Sequence, residues 1–168
     1  MEKKYKALRF FAYVIEILLV YIIEGLPGVM PDIVGSKPCM LIPVALTIAA
    51  FESEKAAMIF GIVCGILSDL GYGSKIGFFA ISLCTVCFCI GFIARNLVVV
   101  NLFNICISGI VVISLILSLH FIFFYAIAGY QDVSVYFYHY IVKISYTFVF
   151  VPLFFYLNKL FFVKISIQ

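Results

Sequence analysis

The sequence has no tryptophan, little charge and no polar tract, and each of these lacks removes a class of protein. Only 11% of its 168 residues are Asp, Glu, Lys or Arg, where a soluble domain carries about a quarter. The chain therefore could not cover a surface in water with polar groups. Without polar low-complexity segments or a G-x-y period, it is neither a disordered linker nor a collagen-like rod. It also lacks a basic stripe: the net charge of +3 comes from 11 Lys and Arg against 8 Asp and Glu. These are too few and too scattered to track phosphates, so nucleic acid is not an expected partner.

What the chain does have is apolar mass. Residues of the AVILMFWYC set make up 66% of it and the mean hydropathy is +1.26, which describes an integral membrane protein embedded in a lipid bilayer. A transmembrane helix needs about 20 residues, so six would use roughly 120 and leave only short loops and tails. The expected fold class is therefore all-α: a polytopic bundle of six transmembrane helices, a single integral membrane domain over residues 1–168. Continuous apolar runs exclude a barrel, whose strands would alternate over about ten residues.

The first run, Phe10 to Ile23, follows Lys3, Lys4, Lys6 and Arg9 in the manner of an uncleaved signal anchor. The second, Cys39 to Phe51, has 13 residues and includes Pro43; it spans roughly 20 Å, short of a hydrocarbon core of roughly 30 Å. With the third run, Ala56 to Leu70, it should form a hairpin about the polar turn Glu52-Ser53-Glu54-Lys55, with protein neighbours or local thinning supplying the missing length. Ile76 to Ala94, Leu102 to Ala128 and Tyr136 to Phe162 complete the set, the fifth led in along the interface by Leu97 to Asn101 and the last carrying a kink at Pro152. Six spans with both termini cytoplasmic place eight Lys and Arg inside and Lys37, Lys75 and Lys143 outside. A re-entrant second segment would level that split, so the positive-inside rule favours six. With tryptophan missing, Tyr130, Tyr136, Tyr138 and Tyr140 supply an aromatic belt at the outer end of the last two spans.

Few residues suggest chemistry. Gly61, Gly65 and Asp69 recur at intervals of four, so they share one side of the third helix. That face can form a close helix contact, with the carboxylate capping or bonding a neighbouring backbone. The segment from Gly71 to Gly77 has the wrong spacing for a phosphate-cradling loop and reads as an interhelical turn. Glu16 lies mid-way along the first span, where an unpaired carboxylate is costly; it serves either a transporter's ion coupling or a hydrogen bond inside the bundle. His120, alone in the fifth run, suits an interhelical hydrogen bond better than a proton relay. The six cysteines, including Cys84-x-x-Cys87, read as soft packing residues with no third metal ligand beside them. No nucleophilic triad or paired-aspartate motif emerges, so neither catalysis nor a cofactor or metal is expected.

The stretch from Ala45 to Asn96 combines a short apolar helix, a polar turn, Gly61-x-x-x-Gly65-x-x-x-Asp69, a glycine turn and Gly77 opening the next helix. It resembles the rod shape-determining protein MreD family of bacteria. One departure is the acidic turn Glu52-Ser53-Glu54-Lys55, where family members often have a basic residue and a glycine. The resemblance implies a non-catalytic subunit of the cell-elongation machinery in the bacterial cytoplasmic membrane. It would associate with MreC, RodA and a penicillin-binding protein to support peptidoglycan synthesis and cell shape. In that setting the Gly61, Gly65, Asp69 and Gly77 region would either close the bundle or receive a partner's transmembrane helix. The competing expectation is a substrate-binding subunit of an energy-coupling-factor vitamin transporter, docking through Ala45-x-x-x-Ala49.

Overall fold

The computed structural model describes residues 2–26, 37–72, 77–96, 99–126, 134 and 136–166. Among them six α-helices carry the fold: α1 (Glu2–Gly25), α2 (Leu41–Phe51), α3 (Glu54–Tyr72), α4 (Phe78–Asn96), α5 (Leu102–Phe121) and α6 (Val142–Ser166). A π-helical turn, Ile122–Ala126, extends α5, and another, Tyr136–Ile141, leads into α6. No strand occurs among the described residues. Among the described residues three segments are long and apolar enough to cross a membrane: Phe78–Asn96, Leu102–Phe124 and Tyr138–Lys164.

The shortest helix lies at the centre. Every residue of α2 from Leu41 to Ala50 is buried, which is why its sequence is apolar on all sides and shows no amphipathic stripe. At eleven residues it is about 16 Å long, and α3, α4, α5, α6 and α1 all pack against it. Its two ends are set differently. The Cys39 backbone N–H donates to Thr147 Oγ1 of α6 at 3.0 Å, and at the far end Glu52 turns extended (φ −106°, ψ 168°) to let α3 begin at Glu54.

The outer helices divide their faces sharply. On α1, Tyr13, Glu16, Ile17 and Val20 are buried while Phe11, Ile15, Leu18, Leu19 and Ile22 are exposed, a helical period that turns one stripe inward to α2, α3 and α6 and the other outward. Exposed Ile81, Phe92, Val111, Leu115, Val149, Leu153 and Leu160 continue this apolar exterior over α4, α5 and α6. Such a coat is stable against hydrocarbon and not against water.

Alternating helix directions gather the ends into two groups. Arg9 of α1 meets Glu52 after α2 at 2.8 Å, and Arg95 of α4 meets Glu54 of α3 at 3.7 Å. The Arg9 guanidinium also lies 4.8 Å over the Phe162 ring of α6, so the start of the first helix and the end of the last share one end of the bundle. The Tyr130 position, the lead-in residues Leu97 and Val98 and the turn residues from Gly73 to Ile76 lie outside the described residues. The described part of the lead-in, Val99 to Asn101, is non-helical. Pro152 sits within α6, which continues through it.

Candidate functional site

Two polar centres organise the bundle, one near a helix end and one at mid-depth. The first is Asp69, near the end of α3 and 1% exposed. Its Oδ2 accepts from the Gly77 N–H at 2.8 Å and the Ala80 N–H at 3.3 Å, and its Oδ1 from the Phe79 N–H at 3.0 Å. These are the orphan donors at the start of α4, which a helix must satisfy from outside itself. A carboxylate is well suited to them because it also meets the positive end of the helix dipole. Gly77 adopts φ +115°, a conformation that L side chains rarely adopt, and this turn brings its N–H onto the carboxylate.

Gly61 and Gly65 bring α4 close enough for that cap. A Cβ on Gly65 would lie 2.4 Å from Ala80 Cα and 2.6 Å from the Phe79 carbonyl oxygen, and one on Gly61 2.7 Å from the Leu83 carbonyl oxygen. Two backbones therefore touch where side chains would hold them apart, the usual use of small residues in membrane helix pairs. The face formed by Gly61, Gly65 and Asp69 is occupied by α4 of the same chain and offers no room to a partner's helix. The anion position at the start of α4, which a phosphate loop would leave open, is likewise filled by Asp69.

The second centre crosses the middle of the bundle. Asn158 Nδ2 on α6 donates to Glu16 Oε1 of α1 at 3.2 Å and to Thr47 Oγ1 of α2 at 3.0 Å. Thr47 returns its own proton to the Pro43 and Val44 carbonyl oxygens at 2.8 and 3.0 Å, so its hydroxyl is oriented as an acceptor for Asn158. All three side chains are buried. One amide thus ties three helices together in a region where an unsatisfied polar group has no water to turn to. Glu16 was legible as a costly acid; Asn158, beside Lys159 near the end of the last apolar run, and Thr47, within a run of aliphatic residues, gave no local signal of their role.

His120 belongs to a third, aromatic cluster. Its Nδ1 lies 2.9 Å from the Tyr140 hydroxyl, and its ring stacks on Phe79 and Phe124 with centroids 5.3 and 4.6 Å away. The edge of Phe78 closes a further side at 5.4 Å. The histidine joins α5 to the entry of α6 and rests against the residues that open α4. No group of three His, Cys, Asp or Glu that could hold a metal is present among the described residues. Ala45 and Ala49 are fully buried in α2, so they cannot form the docking face that the vitamin-transporter reading required.

The acidic turn is balanced by distant cations. Glu52, whose side chain is 7% exposed, pairs with Arg9, and Glu54 pairs with the more exposed Arg95. The turn's acidity is plain in the sequence, whereas its partners come from α1 and α4.

A model of the rod shape-determining protein MreD family matches residues 4–161. The chain belongs to that family. No curated protein and no solved structure matches it. Membership identifies a rod shape-determining membrane protein, and in this chain the Gly61, Gly65, Asp69 and Gly77 element is the seam between α3 and α4.

Proposed function

We propose that this chain is a non-catalytic assembly subunit of the cell-elongation complex in the bacterial cytoplasmic membrane, crossing it six times with both termini in the cytoplasm. In this reading it gathers MreC, RodA and the associated penicillin-binding protein, and works through its outer helical surface. The observation that carries it is where four of the described acids lie. Asp69 closes a helix end, Glu52 and Glu54 pair with arginines, and Glu16 binds Asn158, leaving an apolar exterior on α1, α4, α5 and α6 for contact with lipid and other helices. Arg9, Arg95 and Lys159 lie at the end assigned to the cytoplasm, in keeping with the positive-inside rule.

The test is affinity purification of the tagged chain from native membranes, together with depletion in cells. MreC and RodA should co-purify, and depleted cells should lose rod shape. Cells that keep their shape, or a purified chain that brings down neither protein, would defeat the assignment. Reagents that cannot cross the membrane should fail to label tags at either terminus in intact cells.

A further inference from the structure

A cavity of about 380 Å³ lies at the end of the bundle away from the Arg9 and Glu52 pair, between the last turns of α1 and α3 and the chain leading into α2. Its walls are mixed. Ile22, Leu41 and Leu67 supply apolar surface, and Glu24, Lys37 and Ser68 supply an acid, a cation and a hydroxyl. Ser68 is 2% exposed, and its Oγ has no hydrogen-bond partner among the described residues. A helical serine can return its proton to a carbonyl one turn back; this one does not, and a buried hydroxyl left idle on a cavity wall asks for a ligand. The Lys37 side chain is exposed and makes no ion pair among the described residues. Ile22, 55% exposed, carries one wall of the cavity onto the apolar exterior of α1.

We infer that this cavity binds a phosphoethanolamine group, with Lys37 and Ser68 donating to the phosphate oxygens and Glu24 accepting from the primary ammonium. The inference goes beyond the assembly function and does not depend on it. The ligand's two charges answer the two charges of the walls, and hydrogen bonds between ionised partners are the strong ones. A carboxylate has lone pairs for an ammonium beside any contact it already makes. A bare phosphate would meet Lys37 but bring like charge toward Glu24, and an alkyl chain alone would leave all three polar groups unanswered. A choline headgroup has no N–H for the carboxylate. The remaining substituent of the phosphate leaves past Ile22 and Leu67, so a membrane lipid and a soluble glycerol ester share the chemistry that the cavity reads.

The probe is dioleoyl phosphatidylethanolamine, titrated into the full-length chain in detergent micelles, with native mass spectrometry counting bound lipid and dioleoyl phosphatidylcholine as the comparison. The ethanolamine lipid should bind about tenfold more tightly, the worth of one charged hydrogen bond. Glu24→Gln should bring the two lipids level. Lys37→Gln and Ser68→Ala should instead weaken both lipids, by about threefold and about tenfold, because the phosphate is common to them. Lys37 is exposed, so its variant folds and keeps the test decisive if a change at Glu24 or Ser68 disturbs the bundle. Glycerophosphoethanolamine at millimolar concentration separates the sources: displacement of the lipid shows that the soluble ester suffices, and retention shows that the acyl chains belong to the ligand, either result supporting the headgroup assignment. Equal binding of the two lipids to the unaltered chain, or binding of both undiminished by Lys37→Gln, is the behaviour of annular lipid around a cavity that holds only water and would overturn the inference. Co-purification with MreC and RodA is read separately, so the assembly function stands or falls on its own test.

Discussion

Asp69→Ala is the substitution with the most calculable consequence. It removes the acceptor of three backbone N–H groups at 2.8, 3.0 and 3.3 Å and leaves those donors at a buried helix start. An orphaned buried donor costs about 1–3 kcal/mol, and loss of an N-cap side chain alone about 0.5–2 kcal/mol. The three bonds share one carboxylate and do not add independently, so the expected loss is about 3–5 kcal/mol, a large part of the roughly 5–15 kcal/mol that stabilises a folded chain. At about 2–4 °C per kcal/mol for a chain of this size, the melting temperature in detergent should fall by about 10 °C. Size-exclusion chromatography of a fluorescent-protein fusion after heating would measure it. Asp69→Asn should fall between the two, because its amide keeps one acceptor and turns a donor toward donors. If Asp69→Ala melts with the wild type while cell shape is lost, the carboxylate is acting on something other than α4, and the capping argument is refuted.

Three further outcomes follow from the same geometry. Gly65→Ala puts a methyl 2.4 Å from Ala80 Cα and should destabilise by about 1–3 kcal/mol through forced separation of α3 and α4, whereas Gly25→Ala, with nothing within 4 Å, should melt unchanged in the same assay. A double-mutant cycle on Glu16→Leu and Asn158→Leu, followed by denaturation in mixed micelles, should give a coupling of about 0.6 kcal/mol and no more than about 1.7 kcal/mol; a coupling near zero would mean that the 3.2 Å contact contributes nothing. Arg9→Ala, which strands a Glu52 side chain only 7% exposed, should cost about 3–5 kcal/mol, against less than about 1 kcal/mol for Arg95→Ala, whose side chain is 62% exposed; equal melting temperatures would contradict that ordering.

The charged turn, the glycine spacing and the long apolar runs each leave a mark within a few residues, because hydropathy and side-chain period are local properties of a chain. That is why α4, and α5 and α6 together with the π-helical turns that adjoin them, lie within a few residues of the apolar runs, why Gly61, Gly65 and Asp69 fall on one side of α3, and why Glu16 stands out as an acid needing a partner. Composition alone was enough to put the protein in a bilayer. What those marks could not convey was which neighbour each one meets. Cys39 to Phe51 is by its length a short second span that needs protein neighbours or a thinned bilayer; packed on every side as the central α2, it has the neighbours. The glycine face could equally have awaited another protein until α4 was seen to cover it, and the acidic turn had no counter-charge until Arg9 and Arg95 arrived from other helices. Asn158 is the clearest case, since its partners Glu16 and Thr47 lie 142 and 111 positions away. A hydrogen bond depends on distance and angle between two atoms, and across such separations those are decided by how six helices stack together, which no stretch of neighbouring residues records.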